Sequence, residues 1–199
     1  MNTWQEEFKN SIKSHEGLES FFQTSFPKTS YPILIPKNLA KRIEEEGLDS
    51  PLGKQFLPAA EELKEEGLID PIGDHHQSPI PQIVHRYKNR ILFFPTQTCP
   101  VICRYCFRKN ELSNDDELFK FNLKNVLSYL REHTEIEEII FSGGDPLILS
   151  DEKISKYLHE FSNISHIKYI RFHTRTPIIL PSRVTENFCK MLNNFQDKF

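Results

Sequence analysis

Cys99, Cys103 and Cys106 fall within eight residues, in the run Thr98-Cys99-Pro100-Val101-Ile102-Cys103-Arg104-Tyr105-Cys106-Phe107-Arg108. Iron–sulfur clusters are normally held by four cysteine thiolates. Three thiolates suit a [4Fe-4S] cluster in which one iron keeps no protein ligand. Such an iron can bind a small molecule and act on it. A structural zinc site usually takes four ligands, commonly as two separated pairs; here there is no second C-x2-C, and His85 lies 14 residues before Cys99. Simple electron transfer calls for a fourth thiolate. Cys189 stands alone on a predicted helix and reads as a small buried apolar residue. A disulfide framework scatters its cysteines, whereas this clustering points to metal or redox chemistry in a reducing compartment.

The elements around the triplet must place it. It follows Ile91-Leu92-Phe93-Phe94, a continuous apolar run of the kind found in buried parallel strands. Residues 136–141 and 167–173 read as two further strands. Between them, Leu123, Val126, Leu127 and Leu130 mark an amphipathic helix. Ser150 caps another, with Asp151 and Glu152 in its first turn and Ile154, Leu158 and Phe161 on its buried face. Thr185 caps a last helix carrying Phe188, Met191, Leu192 and Phe195. About three βα units predict an α/β fold with a parallel sheet and right-handed crossovers. Ligands of such sheets bind beyond the carboxyl ends of the strands, where both the triplet and the Gly143-Gly144 turn fall. Three units are half of a six-unit barrel. The expectation is a partial (β/α) barrel over residues 85–199, its last strand without a partner, preceded by a small helical and extended segment over residues 1–84. In that segment Trp4, Phe8 and Ile12 recur at helical spacing, Leu39 and Ile43 precede a glycine cap at Gly47, and residues 59–66 read as a short helix. Pro71, Pro79 and Pro81 make residues 70–83 an extended wrapping segment.

The 199 residues include 16 Phe and are 38% hydrophobic, enough for a sizeable core. A net charge of −3 gives no pull towards nucleic acid or anionic membrane. No apolar run approaches the roughly 18 residues of a membrane span, and residues 1–14 lack the apolar stretch of a signal peptide. The expected location is the cytoplasm, with neither nucleic acid nor membrane as partner.

Several motifs together resemble one family. The triplet after a strand, with an aromatic beside the last cysteine, resembles the radical S-adenosylmethionine superfamily. His85-Arg86-Tyr87, Cys103 to Arg108, Phe141-Ser142-Gly143-Gly144-Asp145-Pro146-Leu147 and Arg175-Thr176-Pro177-Ile178-Ile179-Leu180-Pro181 resemble, in order, the lysine 2,3-aminomutase family. The resemblance covers the chain from about residue 33 to its end. It implies an isomerase that converts L-lysine to β-lysine, with a [4Fe-4S] cluster, S-adenosyl-L-methionine and pyridoxal 5′-phosphate as cofactors. The cluster's unique iron chelates S-adenosylmethionine, and one electron releases a 5′-deoxyadenosyl radical that takes hydrogen from the β-carbon. Pyridoxal phosphate carries the migrating amino group. An electron donor such as flavodoxin or ferredoxin is implied as a partner.

The resemblance also implies roles for particular residues. Cys99, Cys103 and Cys106 ligate the cluster. Ser142, Gly143, Gly144 and Asp145 contact S-adenosylmethionine, and glycine there lets backbone approach a ligand closely. Arg175 touches S-adenosylmethionine or a carboxylate. Arg108 grips the α-carboxylate of the substrate, for which a guanidinium fork is well shaped. Arg86, Tyr87 and Arg90 hold the pyridoxal phosphate. His75, His76 and His173 read as structural histidines. Family members are roughly twice this length, so the expectation is a truncated chain lacking the second half of the barrel. The Schiff-base lysine and the acidic residues for the substrate ε-ammonium are then outside it; Lys109 stands too close to the cluster to serve. A separate second half or a homo-oligomer is the implied complement. Free lysine and lysine destined for elongation factor P remain alternative substrates, as do an inactive cluster-binding chain and a radical S-adenosylmethionine reaction without pyridoxal phosphate.

Overall fold

Alternating side chains along short strands give the sheet two different faces. The computed structural model describes residues 3–64, 67–113 and 115–198. Its strands β1 (Ile83–Tyr87), β2 (Arg90–Phe93), β3 (Glu138–Phe141) and β4 (Tyr169–Phe172) form one sheet in sequence order. β2, β3 and β4 are parallel, and β1 runs antiparallel to β2. The row Ile83, Phe93, Phe141, Phe172 lies in register across all four strands. It faces the main core, where Phe93 and Phe141 meet edge-on at 5.2 Å. The row Val84, Leu92, Ile140, Arg171 is also in register but faces the other way, and lines a cavity. Period-two alternation makes this division.

Nine α-helices are described. α1 (Thr3–Lys9), α2 (His15–Phe22), α3 (Lys37–Glu46) and α4 (Gly53–Phe56) precede the sheet. α5 (Lys109–Ser113) and α6 (Leu123–Glu132) lie between β2 and β3, and α7 (Asp151–Ser162) between β3 and β4. α8 (Thr176–Ile179) and α9 (Glu186–Asn193) follow β4. Val126 and Leu130 of α6, Ile154, Leu158 and Phe161 of α7, and Phe188 of α9 close over the core face of the sheet. Ser150 accepts from Lys153 N and Thr185 from Phe188 N, the caps read from the sequence. The N-terminal helices build their own core from Leu18, Ile35, Leu39, Ile43 and Phe56, to which Val101 of the cysteine loop and Ile179 of α8 also belong. The loop is thereby anchored in this second core.

Four features differ from the sequence reading. β1 is a strand, where residues up to 83 read as a wrapping segment; it spans the residue 84/85 division. Lys88 and Asn89 make its turn without the Asn-Gly signature of a tight hairpin, and an irregular register between Val84 and Tyr87 breaks the pattern. Second, α1 stops at Lys9, and Ile12 instead exchanges backbone hydrogen bonds with Ile35. Third, residues 59–66 give only a turn of tighter helix at Ala60–Leu63; Glu65 and Glu66 lie outside the described residues. Fourth, Cys189 is exposed, not buried. Phe188 faces the core, so the next residue, about 100° further round the helix, turns out.

Candidate active site

The three cysteines sit on an irregular loop that leaves the carboxyl end of β2. Its course is fixed from three sides. Gly144 N donates to Thr96 O and Asp145 N to Thr98 O, each at 2.9 Å, tying it to the turn after β3. Ile102 N donates to Leu34 O and Arg104 N to Gln55 O, tying it to the N-terminal segment. Arg104 then buries its guanidinium, donating to Glu62 Oε1 at 2.9 Å, Pro32 O at 3.2 Å and Thr29 Oγ1 at 2.9 Å. Sequence reasoning missed Arg104 as an anchor. Its signal was an arginine set between two of the three cysteines.

Cys99, Cys103 and Cys106 are free thiols, each half-buried, and line one cavity of about 350 Å³ together with Ser142, Gly143, Gly144, Asp145, Arg108, His173 and Arg175. Among the described residues, no three His, Cys, Asp or Glu side chains are gathered around a single ion. A cubane sets each thiolate on a different iron, so its ligands stand further apart than those of one ion. Burial raises the Cys99 thiol well above the ordinary thiol range, and the nearby Asp145, Cys106 and Cys103 raise it further. Burial also pushes Cys106 up. Thiolates gathered this way are unfavourable until a cationic core neutralises them. The donor set therefore fits a metal–sulfur centre.

The turn after β3 packs against the cysteine loop and lines the same cavity. Gly143 has φ +90°, a conformation L side chains rarely adopt, and a Cβ there would meet Phe94 and Phe119 at about 3 Å. A Cβ on Gly144 would stand 2.5 Å from Thr98 O and 2.7 Å from the Gln97 carbonyl carbon. The close approach that glycine permits is made here by the cysteine loop, while Gly143 and Gly144 also line the cavity. Asp145 is likewise committed. Its Oδ1 accepts from Leu147 N at 3.0 Å and Thr174 Oγ1 at 2.6 Å; its Oδ2 accepts from Arg175 N at 2.8 Å and Thr176 N at 3.0 Å. Ser142 is buried, its N–H donating to Phe93 O.

Arg175 reaches from the end of β4 into the cavity wall. Its Nη1 donates to Cys103 Sγ at 3.4 Å and to the Tyr105 hydroxyl, and its Nη2 donates to Gln55 Oε1 at 3.0 Å. Arg108 is buried, and the carboxylate it grips belongs to the protein: Asp74, also buried. Asp74 lies in the proline-rich segment, where no periodicity marks it out.

A second cavity, about 390 Å³, lies on the sheet face away from the main core. Arg86, Tyr87 and Arg90 line it together, as does Arg171, which the sequence reading passed over. Its signal was the alternation along β4 that points Arg171 away from the core face occupied by Phe172, with His173 one residue past the strand's end. Arg86 donates to Ile72 O, Arg90 stacks over the Tyr87 ring at 4.5 Å, and Arg171 lies 2.7 Å from Glu138 Oε1. His173 borders both cavities. Burial, with Arg171 and Arg108 nearby, holds it below the ordinary histidine range, so its ring is neutral at pH 7. His75 and His76 line neither cavity; His75 pairs with Asp116.

A three-cysteine loop after the first parallel strand, facing a glycine turn after the second, defines a class. Residues 93–196 match the Radical SAM superfamily, and the chain belongs to it. It is similar to L-lysine 2,3-aminomutase of Buchnera aphidicola subsp. Baizongia pistaciae, 34% identical over 201 residues, covering 96% of this chain and 59% of that protein. The enzyme of that name from Escherichia coli strain K12 is 36% identical over 161 residues, covering 80% of this chain and 47% of its own. That from Clostridium subterminale is 28% identical over 205 residues, covering 98% and 49%. The chain thus spans about half the length of the curated relatives it matches. No described helix is long and apolar enough to cross a membrane.

Proposed function

We propose that this chain carries the radical-generating half of a lysine 2,3-aminomutase-type isomerase, which converts L-lysine to β-lysine. The observation that carries this reading is the shared cavity: Cys99, Cys103, Cys106, the 142–145 turn and Arg175 line one space at the carboxyl ends of the parallel strands. Cys99, Cys103 and Cys106 hold a [4Fe-4S] cluster. When bound, the cluster supplies the single electron that opens the sulfonium of S-adenosylmethionine to a carbon radical; the electron comes from a flavodoxin- or ferredoxin-type donor. Ser142, Gly143 and Gly144 offer backbone to the methionine end of that molecule. Asp145 orders the turn and the 174–176 segment rather than binding ligand.

Arg108 receives the substrate carboxylate by sharing or exchanging Asp74. Asp74 screens the buried guanidinium until substrate arrives. In the second cavity Arg86, Arg90 and Arg171 present guanidinium donors suited to a phosphate dianion, and Tyr87 braces Arg90. That is the place for pyridoxal phosphate, which when bound supplies a carbonyl that carries an amino group between neighbouring carbons. The neutral His173 ring stands between the two cavities, where it separates them without adding charge.

One observation favours a second reading. No lysine is among the described residues lining either cavity. A radical S-adenosylmethionine reaction without pyridoxal phosphate is the alternative. The experiment is anaerobic reconstitution with iron and sulfide, followed by S-adenosylmethionine and dithionite. 5′-Deoxyadenosine is the expected product, and its absence from a fully loaded protein overturns the proposal. Formation of β-lysine from lysine only when pyridoxal phosphate is added separates the aminomutase from the alternative.

A further inference from the structure

We propose that Arg175 is a positioning residue that acts through Cys103: its guanidinium donates a charged hydrogen bond to the cluster-side sulfur and raises the reduction potential of the cluster. The inference rests on the cluster reading above and deepens it.

The geometry is built, not incidental. Arg175 Nη1 lies 3.4 Å from Cys103 Sγ. Its backbone N–H is held by Asp145 Oδ2 at 2.8 Å, which fixes where the side chain starts. Nη2 is held by Gln55 Oε1 at 3.0 Å, which fixes where it ends. Between these points the guanidinium stacks 5.4 Å from the Phe56 ring and 5.5 Å from the Tyr105 ring. Phe56 is itself buried in the N-terminal core. Three segments distant in sequence, α4, the cysteine loop and the turn after β3, therefore converge on Arg175 to aim one cation at one sulfur.

The consequence follows from charge. Reduction adds one negative charge to the cluster and its thiolates. A fixed cation and N–H donor at a ligand sulfur favour the more negative state, so the potential rises. Hydrogen bonds around a metal's ligands are a recognised lever on its potential. The other two cysteines have no arginine donor of this kind among the described hydrogen bonds, so the effect is directed at one corner of the cluster.

The test uses the whole chain, reconstituted anaerobically with iron and sulfide, with the potential read by EPR-monitored titration. Arg175→Met is expected to retain its iron and to titrate at a more negative potential than the wild type. Gln55→Ala is expected to shift it in the same direction by less, because the guanidinium loses the anchor that holds it to Cys103; this variant decides the matter if Arg175→Met does not load iron. A loaded Arg175→Met at the wild-type potential overturns the proposal, as does a Gln55→Ala potential unchanged when it is the deciding variant. A wild-type chain that takes up no cluster overturns the underlying cluster reading instead, so the two failures are distinct.

Discussion

Arg108 directs Nε and Nη2 at a single oxygen of Asp74, Oδ2, each 2.7 Å away. Both residues are buried, and Arg86 stands 3.9 Å from the other oxygen. Removing one partner of a buried pair leaves an uncompensated charge, at about 3–5 kcal/mol. Asp74→Ala is therefore expected to lose stability on that scale in urea unfolding. A loss below about 1 kcal/mol would show that Arg108 is not dependent on Asp74.

Gly144 offers a steric prediction. A methyl group there meets backbone of the cysteine loop, and backbone cannot rotate aside as a side chain can. Overpacking of this kind costs typically about 1–3 kcal/mol. More telling than stability is the loop: Gly144→Ala is expected to displace residues 97–98 and so impair iron loading. The check is iron content after reconstitution beside that of Gly17→Ala on α2, outside the loop, where no positive φ is imposed and the nearest atom to a Cβ is the Ser14 hydroxyl at 3.3 Å. Equal loading in the two variants counts against the role assigned to the turn.

Much of this was legible beforehand because it rests on local chemistry. Cysteine spacing marked the loop after β2, Ser150 and Thr185 marked helix starts, and the apolar runs marked the parallel strands. What stayed hidden depends on distant partners. Asp74 lies 34 residues before Arg108, and Gln55 lies 120 before Arg175. Nothing local in either sequence segment announces a pairing made only when the chain folds. Cys189 was misread because a lone cysteine says little about which face of its helix it occupies. For Gly144 the need for a close approach is visible in sequence, but not that the Thr98 and Gln97 carbonyls are what approaches it.

Asp145 gathers four donors from the 145–147 and 174–176 segments onto one carboxylate. Charge-assisted hydrogen bonds each contribute about 1.5–3 kcal/mol. Asp145→Ala is expected to speed hydrogen exchange at the amides of Arg175 and Thr176 by at least tenfold, while exchange in α6 stays the same. Unchanged protection at 175 and 176 would remove Asp145 from its organising role.

His173 sets a pH dependence. Its folded pKa lies below the ordinary value of 6.5. Between the two values the unfolded chain holds a proton that the folded one does not, so stability rises with pH through that window. Conversely, it falls as pH drops below about 6.5. The difference in thermal midpoint between wild type and His173→Gln is expected to move against the wild type on acidification from about pH 7 to 5, because the variant lacks this group. A difference constant with pH would contradict it.

Cys99, Cys103 and Cys106 are expected to hold an iron–sulfur centre, and counting iron decides it. Anaerobically reconstituted protein is expected to carry about four irons per chain, and a variant with Cys99, Cys103 and Cys106 all changed to Ser is expected to carry none as cluster. Substantially less iron in the wild type, or a full cluster retained by the triple variant, would contradict the account.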